Sequence, residues 1–450
     1  MRNNLVGKLV TMLVILTLIL ALAGCGAGQQ DQSQNGTNGK TEKGEDTQDH
    51  GEEAKETILK FATYAPLEKG LEPFWTKIKK DYEAQNKHTT IEWVLYPYGE
   101  LKQQVLVMSA GGNRPDIAYG GRSWLDGFIS SGFLAPMNDL FGQDFVNDFY
   151  PSVIKDMSDN DGQLYAIPQF ISPYVLYYNK ELFKAAGLDP DQPPRTYEQA
   201  LAYAEKLSTL KDKDGNKVYG LGQTTASVPV SGASVLSVML SFGGGLWDES
   251  GHVKVNTPEN VEALQFLRKI FEKGYNPEAA KLKDLRNLFA IGRLGMYFDQ
   301  AWGIGGVFAM NADMKSKVAC VGPLATSKTE GLSTLEATIL MVFKDTDKEK
   351  EAADLIEFIV SDANMEHYVD TVAPMFPARK SQENLDKFVN NPIIKDAVKD
   401  ANKVKELKKH PEMANVFLDL TSSAQAVTVG NENAEAVLKK LEDSFKTLLK

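Results

Sequence analysis

The residues best suited to bind a polyhydroxylated ligand lie between Met296 and Trp302, at the end of an apolar run. Asp299 and Gln300 carry planar groups that can hydrogen-bond neighbouring hydroxyls, and Trp302 carries a broad aromatic face. A sugar ring requires both, since its C–H face stacks on aromatic rings and its hydroxyls pair with carboxylates and amides. The same letters also fit a core tryptophan with an acid nearby by chance.

The elements that must position these residues begin with an alternation of strand and helix patterns. Their apolar spacing predicts strand, helix, strand, helix and strand, which is typical of a parallel sheet with covering helices. The predicted segments are Ile58 to Thr63, the helical face Leu71, Phe74, Trp75, Ile78 and Tyr82, then Thr89 to Leu95, Gly99 to Ala110, and Pro115 to Tyr119.

Ligands of such sheets bind beyond the carboxyl ends of the strands. The loops that follow those ends contain Tyr64, Tyr96, Tyr98 and the run Gly120 to Trp124. Asp116, just before them, is interpreted as a carboxylate that ties backbone amides at a strand. The loops are therefore candidates for ligand contact.

A long stretch from Gly162 to Gly187 predicts the passage from one globular lobe to another. Pro168 and Pro173 interrupt an otherwise strand-like run, and two prolines argue against a central sheet strand because each lacks a ladder donor. We therefore expect an extended crossing between lobes. Beyond it, Thr196 with Gln199 predicts a capping box, and further strand and helix patterns indicate a second α/β lobe.

This stretch resembles a known family. Gly-x-x-Tyr-Ala-Ile-Pro followed by Tyr-Tyr-Asn-Lys-x-Leu-Phe-x-x-Ala-Gly-Leu, from Gly162 to Leu188, is similar to the crossover of the maltose-binding-like substrate-binding proteins of ABC importers, solute-binding family 1. The similarity extends over about Ile58 to Lys380. It implies an α/β fold of the two-lobed, periplasmic-binding-protein-like type II class, with an interlobe ligand cleft and multiple hinge crossings.

The resemblance also implies a domain division. We expect a lipoprotein signal peptide at 1–24, a lipidated cysteine and polar tether at 25–57, an N-terminal lobe at 58–168 plus 336–372, and a C-terminal lobe at 169–335 plus 373–450. The last helix, from Asn433, carries Val437, Leu441, Phe445 and Leu448 on one face and is expected to pack on the second lobe.

Carried over residue by residue, the family's contact loop falls on Gly121 to Trp124, where Arg122 could bridge two hydroxyls and Trp124 could stack. Trp302 matches the family's stacking tryptophan. The chain lacks the Asp-Arg pair of the maltodextrin binders, so the identity of the sugar does not transfer. The predicted ligand-binding residues are Tyr64, Tyr98, Gly121, Arg122, Ser123, Trp124, Phe170, Trp247, Asp299, Gln300 and Trp302.

The amino terminus predicts a membrane anchor. Arg2 and Lys8 precede a charge-free apolar run of about 15 residues, too short to span a bilayer and typical of a secretory signal. The run closes on Leu-Ala-Gly-Cys25, which resembles the bacterial lipobox. Residues 26–57 contain no large apolar side chain, so they suit a polar tether. We expect a lipid-anchored, extracytoplasmic protein, of Gram-positive origin.

The net charge and the cysteine content indicate which kinds of binding partner the protein can have. The net charge is −11 and the folded part has no basic block, which argues against nucleic acid, because phosphate binding needs clustered Lys and Arg. Cys320 is left unpaired after lipidation of Cys25 and is interpreted as a buried small hydrophobe. A monomer that binds a small molecule is expected.

Motifs for metals and catalysis do not match. The five histidines have no zinc spacing, and no Gly-x-Ser-x-Gly, Walker A or Gly-x-Gly-x-x-Gly motif occurs. Asp212 and Asp214 could suggest calcium, but the EF-hand spacing fails and a turn explains the same residues. We predict neither a cofactor nor a resident metal.

These observations predict a non-enzymatic lipoprotein that captures an oligosaccharide and delivers it to an ABC permease. Two alternatives stay open. One is a lipid-anchored polysaccharide lyase or hydrolase, because a glycosidase carboxylate pair needs no local motif. The other keeps the fold but binds a non-sugar solute or serves a sensor kinase.

Overall fold

The computed structural model describes residues 56–410 and 412–449. Its strands are β1 (Thr57–Thr63), β2 (Thr89–Leu95), β3 (Ile117–Gly121), β4 (Ile167–Ile171), β5 (Tyr174–Asn179), β6 (Tyr219–Gly222), β7 (Leu294–Gln300), β8 (Val318–Val321), β9 (Ser333–Thr334), β10 (Ala337–Val342), β11 (Phe376–Pro377) and β12 (Val404–Lys405). Cys25 and the predicted signal peptide lie outside the described residues. Within those residues, no helix combines the length and apolar character needed to cross a membrane.

Seventeen α-helices surround the strands in the described part of the chain. They are α1 (Glu72–Gln85), α2 (Tyr98–Ala110), α3 (Leu125–Ser131), α4 (Gln143–Asp148), α5 (Pro151–Asp156), α6 (Lys180–Ala185), α7 (Tyr197–Leu207), α8 (Pro229–Ser241), α9 (Pro258–Glu272), α10 (Leu282–Ala290), α11 (Ile304–Met310), α12 (Met314–Lys317), α13 (Glu349–Ile359), α14 (Asp362–Thr371), α15 (Asp386–Val389), α16 (Met413–Thr428) and α17 (Ala434–Leu448). Short 3-10 turns include Arg122–Trp124 after β3 and Ala301–Gly303 after β7.

The first sheet has six strands in the order β11-β4-β10-β3-β1-β2. Strands β1, β2 and β3 run parallel, as the sequence predicts, and β10 returns antiparallel between β3 and β4. The carboxyl ends of β1, β2 and β3 therefore share one edge, and the loops that carry Tyr64, Tyr98 and Arg122 emerge there.

The second sheet has four strands in the order β6-β7-β5-β8. Successive side chains of β5 enter two different buried clusters: Val175 and Tyr177 join one, and Leu176 and Tyr178 join the other. This alternation follows from the two-residue period of a strand and shows that both faces of the sheet are covered. The second cluster includes Leu438, Leu441 and Phe445 of α17, so the expected packing of the last helix is confirmed.

The chain enters or leaves the first sheet at two short connections. Strand β4 ends at Ile171 in the first sheet and β5 begins at Tyr174 in the second, with Ser172 and Pro173 between them. Later, β9 pairs with β12 in a separate two-stranded sheet, and β10 enters the first sheet after the two intervening residues Leu335 and Glu336. The extended crossing predicted at Gly162 to Gly187 is confirmed.

One expectation about that stretch was wrong. The prolines were expected to exclude a central sheet strand, yet β4 lies between β11 and β10 and pairs with β10 through Pro168. The pairing steps from Phe170 opposite Thr338 to Pro168 opposite Ile339, which leaves Gln169 as an extra residue at a bulge. A bulge tolerates the missing N–H, and β11 pairs only with Phe170 and Ile171, so Pro168 has no ladder partner on that side.

This pairing bears on the predicted lobe boundaries. Residues 169–171 and 376–377, which the division gave to the second lobe, belong to the first sheet. Elsewhere the predicted division stays a prediction. The local helix prediction is confirmed, since Thr196 and Gln199 form the expected capping box at the start of α7.

Candidate functional site

Three aromatic rings cluster at the carboxyl edge of the first sheet. Tyr64 follows β1, Tyr98 opens α2 after β2, and Trp124 ends the turn after β3. The Tyr98 ring centroid lies 4.9 Å from that of Tyr64 and 5.2 Å from that of Trp124. Tyr98 is 48% exposed, whereas Trp124 is buried, so Tyr98 presents the accessible ring of this group.

The Trp124 ring is held by a glycine. A Cβ added to Gly120 would lie 2.3 Å from the Trp124 ring, so only glycine lets the indole pack against β3. Gly121 is close to both the Tyr98 hydroxyl and the Glu336 carboxylate, at 3.5 and 3.6 Å from its would-be Cβ. Gly120 therefore lets the indole pack on β3, and the loop at Gly121 lies beside Tyr98 and Glu336.

Arg122 is committed to carboxylates of its own lobe. Its Nε and Nη2 donate to the two oxygens of Asp156, at 2.5 and 3.2 Å, and Nη1 donates to Asp126 at 3.2 Å. Asp156 and Asp126 raise the pKa of the guanidinium although burial opposes them. All three nitrogens are thus engaged by carboxylates, and the bridge from Arg122 to ligand hydroxyls stays a prediction.

Glu336 is a carboxylate of this region that was not among the ligand-binding residues predicted from the sequence. It lies in the crossing between β9 and β10, and its Oε1 accepts from Ser123 N–H at 3.3 Å and from Ala337 N–H at 3.2 Å. Its removal from water raises its pKa, while Arg122 acts in the opposite direction. No local motif marks Glu336, because only the return of β10 to the first sheet places it beside Ser123.

On the second sheet, Asp299 is not free to meet a ligand. Its carboxylate is 0% exposed and accepts from Arg286 Nε at 2.7 Å and Nη2 at 2.9 Å. Burial raises the pKa of Asp299 and the Arg286 charge opposes that rise. Gln300 is buried as well. The hydroxyl partners predicted at these two positions therefore lie beneath the surface.

Trp302 has the surroundings expected of a binding tryptophan. Its side chain is 45% exposed, which contradicts the core alternative, and the Arg286 guanidinium lies 4.8 Å from its ring centroid. The backbone N–H of Trp302 donates to Ser172 Oγ at 3.4 Å, and the backbone N–H of Ser172 donates to the Glu336 carbonyl at 2.7 Å.

These hydrogen bonds connect the two sheets' loops into one surface. We call it the crossing site, formed by Tyr98, Ser123, Trp124, Ser172, Trp302 and Glu336. It combines accessible aromatic rings with a carboxylate and hydroxyls where the chain passes between the sheets. A mixed aromatic and polar lining at a boundary between sheets is the usual composition of small-molecule sites.

Two predicted ligand residues lie elsewhere. Phe170 is buried in β4 with its ring 4.6 Å from that of Tyr368, so it belongs to the core. Trp247 lines a separate pocket with basic residues that include His252, Lys408 and Lys446. A periodic sequence pattern could not separate these aromatics from those of the crossing site.

The remaining predicted features have simple structural roles. Asp212 accepts from the backbone N–H groups of Asp214 and Asn216 and from the Asn216 side chain, and it forms a turn between Lys211 and Lys217. Cys320 is fully buried, as expected for a small hydrophobe, and burial raises its thiol pKa. Asp116 accepts from Lys60 N–H at 2.7 Å, which confirms its structural interpretation.

Comparison with known proteins places this geometry in a class. A cyclic α-maltosyl-1,6-maltose binding protein from Arthrobacter globiformis superposes with a TM-score of 0.76 at 20% identity, covering 87% of this chain and 99% of that protein. The expected type II, periplasmic-binding-protein-like fold is thereby confirmed.

The family follows from sequence. The model of the bacterial extracellular solute-binding proteins matches residues 65–366, and the chain belongs to that family. A Brucella abortus (strain 2308) protein, named only as a binding protein, is 25% identical over 84% of this chain and 90% of its own length. The arabinooligosaccharide-binding protein of Bacillus subtilis (strain 168) is 24% identical over 57% of this chain and 52% of its own.

Proposed function

We propose that the protein captures an oligosaccharide at the crossing site and delivers it to the permease of an ABC importer. The observation that carries the proposal is the exposed indole of Trp302 on the second sheet, joined through Ser172 and Glu336 to Ser123 and Tyr98 on the first. A pyranose could stack on the indole while its hydroxyls reach the carboxylate and hydroxyl groups nearby.

The relatives support this ligand class. Similar proteins are named for arabinooligosaccharides, for maltotriose and for cyclic α-maltosyl-1,6-maltose. Different sugars share the demand for an aromatic platform beside planar hydrogen-bonding groups, and the crossing site supplies these elements.

Binding without chemistry is proposed because the neighbouring carboxylates are occupied. Asp156 and Asp126 are paired with Arg122, and Asp299 is paired with Arg286. Glu336 is the single carboxylate among the six residues of the crossing site. Glycoside hydrolysis ordinarily requires two carboxyl groups flanking the scissile bond.

We further propose that Cys25 carries the lipid that holds the mature protein at the outer face of the membrane. The lipobox and the polar tether behind it support this proposal. The tether would leave the folded body free to meet a permease.

The test is a thermal-shift screen with arabino-, malto- and xylo-oligosaccharides, followed by calorimetric titration of the hits. A ligand that binds only the native state raises the melting temperature. We expect Trp302→Ala to weaken binding by at least about 2 kcal/mol, or roughly thirtyfold, since truncating a central aromatic contact has that effect. Trp302→Phe should retain most of the affinity, because the aromatic face remains.

Ile291→Ala is the matched control, as it truncates another exposed apolar side chain outside the crossing site. It should bind like the parent. A Trp302→Ala protein that melts early yet binds its sugar normally would contradict the assignment of the site. Absence of any carbohydrate hit would contradict the ligand class.

A further inference from the structure

We propose that Arg286 is a positioning residue that holds the Trp302 indole with one face covered and the other open to ligand. The inference rests on the proposed function, because it assigns a role in sugar binding to a residue that need not touch the sugar. It comes from three contacts around the turn Ala301–Gly303.

The first contact fixes the guanidinium. Arg286 lies on α10 and donates through Nε and Nη2 to the two oxygens of Asp299, at 2.7 and 2.9 Å. Asp299 also accepts from Gln300 N–H at 2.8 Å, so the carboxylate is itself held by the strand end. A bidentate pair of this kind sets the plane of the guanidinium as well as its position.

The second contact joins that plane to the indole. The guanidinium carbon lies 4.8 Å from the Trp302 ring centroid, within the range of a cation–π interaction. Trp302 remains 45% exposed, so the ring is covered on one side and accessible elsewhere. An exposed indole without such a partner would sample several rotamers, and a ligand would have to order it on binding.

The third contact ties the turn to the ion pair. A Cβ added to Gly303 would lie 2.3 Å from Asp299 Oδ2 and 2.6 Å from Arg286 Nη2. A side chain at position 303 would therefore displace one of these two charged groups. The turn is also held by Tyr177, whose hydroxyl donates to the Ala301 carbonyl at 3.1 Å. Arg286, Asp299 and Gly303 therefore form one unit that presents Trp302.

An alternative role for Arg286 is purely structural: it could neutralise buried Asp299 and do nothing for the indole. The two roles differ in one measurable respect. If Arg286 acts through Trp302, its substitution changes sugar affinity only while the indole is present. A structural role would lower stability and leave this coupling at zero.

The experiment is a double-mutant cycle of Arg286→Lys and Trp302→Ala, read by calorimetric titration with an oligosaccharide from the screen. Lysine keeps the charge but loses the planar fork that pairs with Asp299 and stacks on the ring. We expect Arg286→Lys to weaken binding roughly twofold to fivefold, the range to which a cation–π contact at an exposed ring converts. In the Trp302→Ala background the same change should have no effect.

A second variant guards against misfolding. Arg286→Gln combined with Asp299→Asn removes both charges together, so no buried charge is left unpaired. It should reproduce the loss of affinity while it keeps a cooperative melt. Arg268→Lys is the matched control, because Arg268 bonds the Val427 carbonyl and lies outside the crossing site. It should bind like the parent.

A ligand-free measurement separates this proposal from the proposed function. Acrylamide quenching of Trp302 fluorescence should increase in Arg286→Lys. In each background this fluorescence is the difference between the protein with Trp302 and its Trp302→Phe variant. Unchanged quenching, or an equal loss of affinity with and without the indole, overturns the positioning role. If the parent binds no carbohydrate, the proposed function fails, while quenching still decides whether Arg286 orders the indole.

Discussion

Replacing Arg122 by methionine distinguishes a structural arginine from a ligand contact. The sequence suggested that Arg122 bridges ligand hydroxyls, but its guanidinium is paired with Asp156 and Asp126. The Arg122 side chain is 11% exposed and that of Asp156 is 3% exposed. Arg122→Met keeps much of the aliphatic volume and removes the charge, so Asp156 loses its bidentate partner.

The magnitude follows from the burial of the pair. Breaking a buried ion pair by removing one partner costs about 3–5 kcal/mol, because a buried charge is left uncompensated. Lys409 Nζ lies 3.2 Å from Asp156 Oδ1 and offsets part of that cost. We therefore expect a loss of about 3 kcal/mol, which is large against a typical folding stability of about 5–15 kcal/mol.

The assay is urea unfolding beside calorimetric titration of the surviving folded protein. Arg122→Met should unfold at lower urea and bind its sugar with little change in affinity. Lys328→Met is the control, since it breaks an exposed pair with Glu262 and should cost about 0–1 kcal/mol. Parent-like stability with lost affinity would refute the reasoning and return Arg122 to the ligand.

Three further predictions address the carboxylate, the anchor and the motion. Glu336→Gln should raise the melting temperature at pH 7, because the pKa of Glu336 is raised in the folded state and its ionisation therefore destabilises the fold. The gain in melting temperature should shrink as the pH falls toward 4.5, where the carboxyl group becomes protonated. An equal gain at every pH from 4 to 8 would contradict this prediction. Cys25→Ser should release the protein into the medium or leave a precursor, since lipid attachment is lost, and mature-sized protein in the membrane fraction would exclude the lipid anchor. A saturating sugar should reduce the radius of gyration in X-ray scattering by favouring a closed state, whereas an unchanged profile with a confirmed ligand would indicate a rigid site.

The sequence determined the features that depend on local patterns. The parallel start of the first sheet, the capping box at Thr196 and the crossing near Gly162 to Gly187 follow from periodicity, caps and turns within a few residues. The place of Trp302 just beyond the end of a strand was also predicted, because strand, turn and aromatic residue are neighbours in the chain. Pro168 was the exception, since the bulge that accommodates it depends on the register of β10.

Only the tertiary structure decided which polar groups remain available to a ligand. Arg122 meets Asp156 and Asp299 meets Arg286 through helices packed against strand ends, across 34 and 13 residues of sequence. Glu336 joins the crossing site because β10 returns to the first sheet. A charged side chain forms an ion pair with whichever opposite charge the packing brings close to it, and that partner has no fixed spacing in the sequence.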